Sequence, residues 1–220
     1  MVTKPARRTT AQDLTDALRE SLRHLGCEFK QNQLAYLSLT SKNEGSLGGA
    51  LAYRLHKKFA ENSKVTIRRE WPSNGRRIDI AMLRDGKATV LIEAKAAMAF
   101  DPLVEGTRVY PSKEVTADAS KLTEVEDVDQ RYALAFFTVY DGPPDKGHRT
   151  AIKFLDGIER HIRRHRYAKY SFIRKGLPRF REALRCRALS AERVHVGEIP
   201  AGKAFGVNVS VWYVLVAVSN

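Results

Sequence analysis

The fold is decided by the segment RRIDIAMLRDGKATVLIEAK, which spans residues 76–95. Its two apolar runs, Arg77–Leu83 and Ala88–Ala94, are separated by the turn signal Arg-Asp-Gly-Lys, and this pattern predicts two antiparallel strands joined by a tight turn. Each run carries one acid, Asp79 in the first and Glu93 in the second. An acid inside an apolar run is costly to bury alone, so both are candidates for a functional site.

The register of this hairpin decides whether the two acids meet. If residue 84 pairs with residue 88, Asp79 lies opposite Glu93, and the two carboxylates are neighbours on one face at about 5 Å. Lys95 shares that face, because residues two apart on a strand point the same way. A one-residue change of register would move the two acids to opposite faces. The alternative is a structural role at the sheet edge, in ion pairs with nearby basic residues.

Further elements surround the hairpin in a regular order. A strand at Val65–Trp71 precedes it, a helix is predicted from about 112 to 129, and a very apolar strand follows at Tyr132–Tyr140. Before these strands, large apolar residues recur every four positions from Gly45 to Ala60, which is typical of an amphipathic helix. The order helix, strand, strand, strand, helix, strand predicts an α/β fold.

Glu44 lies one turn before the first leucine of that early helix, on the same apolar stripe. A carboxylate there must be ion-paired, bound to a metal or at the mouth of a site, because burying it alone is too costly. The alternative is a plain acid at a helix N-terminus, where the helix dipole favours negative charge.

Two close acids repel each other unless a cation or a proton lies between them. Hard oxygen ligands without a nearby His or Cys cluster favour Mg²⁺ or Mn²⁺. Such an ion could neutralise a phosphate group and lower the pKa of a water. We expect Lys95 to orient that water or help to deprotonate it, because the pKa of a lysine falls when it is buried in a site.

Asp79, followed after thirteen residues by Glu93-Ala94-Lys95 in this element order, resembles the motif of the PD-(D/E)XK nuclease superfamily. The resemblance covers about residues 41–140, and Ile78 stands where the motif usually has Pro. It implies a mixed four-stranded central sheet flanked by helices. It also implies hydrolysis of phosphodiester bonds in DNA with Mg²⁺, for which Mn²⁺ can substitute, leaving 5′-phosphate and 3′-hydroxyl ends.

The same resemblance implies a role for each residue. Asp79 takes the place of the motif's Asp, Glu93 of its second acid and Lys95 of its lysine, while Glu44 matches the extra helical acid that many members carry. The Ala94 carbonyl would be a further metal ligand. A weaker match concerns the later helix, where Asp118 and Lys121 resemble an Asp-x-x-Lys pair found in some members.

The strongest concentration of charge is the basic segment, residues 149–187, where thirteen Lys and Arg residues face three acids for a net charge of +10. Aromatic residues interleave with them, and this pattern predicts phosphate contacts with stacking on nucleotides. The alternative is a solvated helical face, and His161 and His165 are interpreted as phosphate contacts or part of that face. The expected DNA-binding residues are Arg160, Arg163, Arg164, Arg166, Lys169, Arg174 and Lys175.

Length favours one domain over residues 1–220. Its expected parts are an N-terminal helical region with a helix capped by Thr10 (1–40), the catalytic core (41–140), the basic helical segment (149–187), predicted to stay helical until Gly176-Leu-Pro, and a terminal β-hairpin (193–218).

Composition narrows the function classes. With 43% hydrophobic residues the chain is globular, and its formal charge of +13 favours a polyanionic partner. Neither cysteine has the spacing of a zinc site, and no apolar run is long enough to cross a bilayer. We therefore expect a cytoplasmic protein with DNA as its partner and no membrane association, and a homodimer as the oligomeric alternative.

The expected function is a Mg²⁺-dependent DNA endonuclease of restriction type. The alternatives are a structure-selective repair or junction nuclease, and a non-catalytic nucleic-acid-binding protein on the same fold.

Overall fold

The computed structural model describes residues 9–62, 64–73, 75–103, 112–165, 168–185 and 194–219. At its centre is a mixed sheet with the strand order β1-β2-β3-β4-β6-β5. Every described pair of neighbouring strands is antiparallel except β3 with β4. The strands are β1 Val65–Ser73, β2 Arg76–Arg84, β3 Lys87–Met98, β4 Gln130–Tyr140, β5 Val194–Ala204 and β6 Val207–Ala217.

The α/β class predicted from the sequence is confirmed, but the predicted count of four strands is wrong, because the terminal hairpin extends the sheet to six. Strand β6 pairs with β4 from Tyr132 with Ala217 to Tyr140 with Val209. Ten of the eleven residues of β4 are buried, so both faces of this strand are covered and its second edge needs a hydrogen-bonding partner. The hairpin supplies that partner.

The helices cover the sheet. α2 packs on β5 and β6, α3 on β1, and α4 on β3 and β4. The capping box predicted at Thr10 is present, since Thr10 and Asp13 exchange hydrogen bonds at the start of α1. The helices are α1 Ala11–Arg23, α2 Gln33–Thr40, α3 Glu44–Lys58, α4 Ser112–Thr123, α5 Leu155–Arg164, α6 Ala168–Ser171 and α7 Leu177–Arg185.

Helix α4 ends at Thr123, earlier than the predicted end near residue 129. The cause is Arg131, a buried arginine at the start of β4. Its guanidinium donates to the carbonyl oxygens of Leu122, Val125 and Val128 at 2.9, 2.5 and 3.1 Å. These bonds satisfy carbonyl oxygens of the last turn of α4 and of the segment that follows it, so the chain can leave the helix here without burying unpaired carbonyls.

The sequence predicted that the helical run in the basic segment ends at Gly176-Leu-Pro, and this prediction is wrong. A π-helical turn at Phe172–Gly176 leads directly into α7. Pro178 is the second residue of α7, in the first turn, where its missing N–H is not needed. Phe172 and Phe180 are fully buried against Phe137, with ring centroids 5.1 and 5.0 Å away. They belong to the core and do not stack on a ligand.

No helix in the described part of the chain has both the length and the apolar character needed to cross a membrane.

Candidate active site

The candidate site lies where β2 and β3 separate. The two strands pair from their turn as far as Ile80 and Ile92. Beyond these residues β2 lies beside β1 as far as Arg76, whereas β3 runs beside β4 as far as Met98. We call the opening between residues 76–79 and 93–98 the fork.

A β-bulge sets the register at the fork. The turn pairs Arg84 with Lys87, so the predicted pairing of residue 84 with residue 88 is wrong by one residue. An irregularity between Met82 and Leu83 then shifts the register. Asp79 and Glu93, one residue past the last pair, therefore occupy facing positions, as the sequence predicted.

Three carboxylates accept hydrogen bonds from alternate backbone N–H groups of β3 within the fork. Such groups point to the strand edge that β2 has left, and the carboxylates take the place of the missing strand. The pairs are Ala94 N with Asp79 Oδ2 at 2.8 Å, Ala96 N with Glu44 Oε2 at 3.1 Å, and Met98 N with Asp101 Oδ2 at 2.7 Å.

Lys95 lies between acids from two helices. Its Nζ is 3.2 Å from Asp118 Oδ2 on α4 and 3.6 Å from Glu44 Oε1, the first residue of α3. Asp118 Oδ2 is buried, and the ammonium group of Lys95 balances its charge at 3.2 Å. Burial raises the pKa of Asp118, and the charge of Lys95 opposes that shift.

Glu93 is the most buried acid of the fork, with its side chain 2% exposed. Burial raises its pKa to about 8, the contact with Lys121 opposes the shift, and the charge of Asp79 adds to it. Lys121 Nζ contacts the Glu93 carboxylate and the carbonyl oxygen of Arg77. A proton or a cation is therefore needed at Glu93 near neutral pH.

The expectation that burial lowers the pKa of Lys95 is wrong. Burial does oppose its charge, but the carboxylates of Asp118 and Glu44 outweigh burial and raise its pKa. Lys95 is therefore an ammonium group that can donate hydrogen bonds and balance negative charge, and it is unsuited to removing a proton from water.

The fork offers oxygen ligands that suit a hard divalent cation. Asp79 and Glu44 each use one carboxylate oxygen on the backbone. The other oxygen of Asp79 is left near Glu93, whereas the other oxygen of Glu44 lies 3.6 Å from Lys95 Nζ. Mg²⁺ prefers such ligands. Within the described ranges, however, no three or more His, Cys, Asp or Glu side chains form a group that could hold a metal ion. Lys121 contacts Glu93, so a metal would have to displace its ammonium group.

The structure places most of the predicted DNA-binding residues on the surface. Arg160, Arg163 and Arg164 are exposed on α5, and Arg174 and Lys175 are exposed on the π-helical turn. Lys169 is half-buried and forms an ion pair with Glu198 at 2.5 Å, whereas Arg166 lies outside the described residues.

Two cavities lie between this surface and the end of β3. The smaller, about 150 Å³, lies between the start of α3 and the end of β3, where Asn43 and Ala96 line it. The larger, about 680 Å³, lies beside α5 and is lined by cationic and apolar side chains. Phe154 lines both cavities, so they lie on either side of one side chain.

The interpretation of His161 as a phosphate contact or part of a solvated face is wrong, because His161 is buried. Its two ring nitrogens lie 2.8 Å from Tyr140 Oη and 2.8 Å from Ser171 Oγ. Ser171 Oγ donates to the carbonyl oxygen of Ala168 and therefore accepts from His161 Nε2–H. Its hydroxyl proton is committed to the backbone, so this serine–histidine pair is structural and lacks an activated nucleophile.

Sequence reasoning missed Asp101 in the fork. The available signal was its position directly after the apolar strand, in the turn-forming pair Asp101-Pro102. Burial raises the pKa of Asp101 to about 6. The weaker match, Asp118 and Lys121, also belongs to this site, because Asp118 contacts Lys95 and Lys121 contacts Glu93.

Comparison with known proteins assigns no family to the chain. No protein family, no curated protein and no solved structure matches it.

Proposed function

We propose that the protein is a Mg²⁺-dependent DNA endonuclease, as its resemblance to the PD-(D/E)XK superfamily implies. The observation that carries the proposal is the meeting of Glu44, Asp79, Glu93 and Lys95 at the fork. Four ionisable side chains gathered at one opening of a sheet are costly to maintain unless they have a function.

Asp79 and Glu93 would hold the ion, with Glu44 and the Ala94 carbonyl as further ligands. When bound, Mg²⁺ would neutralise charge on the scissile phosphate and lower the pKa of an attacking water. The ammonium of Lys95 would donate a hydrogen bond to that water or to a phosphate oxygen. The backbone bonds to Asp79 and Glu44 would keep both carboxylates in position while the substrate binds.

The cationic surface of α5 and the π-helical turn would supply affinity through phosphate contacts. Restriction-type cleavage is the first candidate. Cleavage selected by DNA structure is the second, and the cavity beside α5 favours it, because paired bases in a duplex cannot enter a cavity.

The test is incubation of the purified protein with linear, supercoiled and branched DNA in Mg²⁺, Mn²⁺ or EDTA. We expect cleavage with either metal and none in EDTA. Asp79→Asn keeps the acceptor for Ala94 N–H and should abolish cleavage, while DNA affinity stays within about tenfold, or 1.4 kcal/mol. Lys95→Ala should have the same two effects.

Asp85→Asn is the matched control. Asp85 lies in the β2–β3 turn with a φ of 50°, which Asn tolerates, and its substitution should leave cleavage unchanged. Wild-type cleavage by Asp79→Asn would refute the site. Tight DNA binding by the wild type with no cleavage of any substrate would favour the non-catalytic binding protein.

A further inference from the structure

We propose that the cavity beside α5 binds one unpaired nucleotide of a DNA strand and so directs the protein to flaps, overhangs or branch points. This proposal depends on the proposed function only for the identity of the strand as DNA. It adds a binding site separate from the fork.

The size and lining of the cavity match a nucleotide. Its volume of about 680 Å³ is within the usual range for sites that enclose a small organic ligand, about 300 to 1,000 Å³. The apolar part includes Phe100 and Phe154, whose rings can stack on a base. The polar part includes Arg149, Lys153, Arg160 and Arg164, against a single lining aspartate, Asp156.

Of these cations, the two arginines of α5 are the ones available for phosphate groups, since the ammonium of Lys153 lies over the Phe154 ring, 5.6 Å from its centroid, where a stacking base would have to displace it. Within the described ranges, Arg160 and Arg164 have no acidic partner, whereas Arg149 pairs with Glu159 at 3.0 Å. Guanidinium groups bind phosphate oxygens in a bidentate geometry. Free guanidinium groups beside aromatic rings complement the charged and apolar parts of one nucleotide.

The aromatic wall is held rigidly. A Cβ atom at Gly157 would lie only 2.4 Å from the Phe100 ring, so this ring packs directly on the backbone of α5. On another side, the ring of Phe100 contacts the ring of His161 edge-on, with 6.3 Å between the ring centroids. A wall fixed in this way has little conformational entropy to lose when a base stacks on it.

A base in a duplex is stacked and paired, so only an unpaired or flipped base can enter a cavity. Phe154 lines both this cavity and the smaller one at the end of β3. An unpaired nucleotide held here would therefore place the adjoining strand near the fork.

The test is a binding measurement in EDTA, so that cleavage plays no part. Fluorescence anisotropy compares a blunt duplex with the same duplex carrying a flap of four unpaired nucleotides. We expect the wild type to bind the flapped duplex about tenfold more tightly, which is within the range that one stacked base supplies.

Phe154→Leu keeps an apolar side chain in place and removes the aromatic face. It should reduce the preference for the flap to about twofold or less, while its affinity for the blunt duplex stays within about tenfold of the wild type. The double variant Arg160→Ala/Arg164→Ala should reduce the preference to the same extent, and it should also weaken binding to the blunt duplex, because both arginines belong to the cationic surface of α5. Arg163→Ala is the matched control, because Arg163 is exposed on the same helix and does not line the cavity. It should weaken binding to both duplexes equally.

Equal affinity of the wild type for the two duplexes would overturn the proposal. So would an unchanged preference in the double arginine variant, which decides the matter even if Phe154→Leu fails to fold. If the wild type prefers the flap but cleaves no DNA, the nucleotide-binding site is supported and the proposed nuclease activity is refuted. If it cleaves DNA but shows no preference for the flap, only the nucleotide-binding site is refuted.

Discussion

Replacing His161 by Gln should change how the stability of the protein depends on pH. His161 is 3% exposed, and burial lowers its pKa from 6.5 to about 4, with a smaller contribution from His165. Between pH 6.5 and 4 the histidine is therefore protonated in the unfolded chain but neutral in the folded protein. The contribution of His161 to the free energy of unfolding is complete above pH 6.5 and is lost as the pH falls through 4.

The size of the effect follows from the shift. A displacement of the pKa from 6.5 to about 4 corresponds to about 3 kcal/mol over the whole range, and about 2 kcal/mol of it is lost by pH 5. Asp101 acts in the opposite direction, because burial raises its pKa to about 6. The stabilisation that Asp101 provides is present below 3.8 and is lost as the pH rises through 6. Glu93, whose pKa burial raises from 4.5 to about 8, acts in the same direction, so the wild-type curve alone mixes several effects.

The assay is urea unfolding of the wild type and of His161→Gln at pH 7.5 and pH 5. Any constant cost of the substitution cancels when the change between the two pH values is compared. We expect the free energy of unfolding of the wild type to fall by about 2 kcal/mol more than that of the variant. His56→Gln, at an exposed position on α3, is the control and should follow the wild type. Parallel changes in wild type and His161→Gln, within about 0.5 kcal/mol, would refute the reasoning.

Two further predictions concern metal and salt. The melting temperature of the wild type should rise with millimolar Mg²⁺, because a ligand that binds the folded state stabilises it. Asp79→Asn should remove most of that rise, and a constant wild-type melting temperature would count against a metal site formed by these carboxylates. The double variant Arg163→Ala/Arg164→Ala should bind all DNA sequences more weakly and reduce the slope of log K against log salt by up to about two units. An unchanged slope would mean that another surface holds the DNA.

The β2–β3 hairpin could be predicted because its signals are local. A Gly-containing turn between two apolar runs specifies adjacent strands, and one acid in each run indicates which face carries the candidate site. The exact turn pairing could not be predicted, because the bulge between Met82 and Leu83 has no distinct sequence signal. Asp79 and Glu93 nevertheless face each other, since the bulge compensates for the tighter turn.

The missed features depend on contacts between residues far apart in the chain. Burial of the second edge of β4 by the terminal hairpin cannot be deduced from either segment alone. Arg131 is an ordinary charged residue in the sequence, yet it ends α4 by binding three carbonyl oxygens. The raised pKa of Lys95 likewise arises from Asp118 and Glu44, which lie on two different helices.

The backbone bonds in the fork allow structural and chemical roles of its acids to be separated by choice of substitution. Asp79 accepts from Ala94 N at 2.8 Å, and Glu44 accepts from Ala96 N at 3.1 Å. Asn or Gln preserves an acceptor for these N–H groups, whereas Ala leaves a buried donor unpaired at a cost of about 1 to 3 kcal/mol. A loss of activity common to Asp79→Asn and Asp79→Ala belongs to the charge of the carboxylate, and a loss of stability confined to Asp79→Ala belongs to the support of β3. An acid held by the strand that it supports is already oriented before any ligand arrives, so binding a ligand at the fork would require little reorganisation of Asp79 or Glu44.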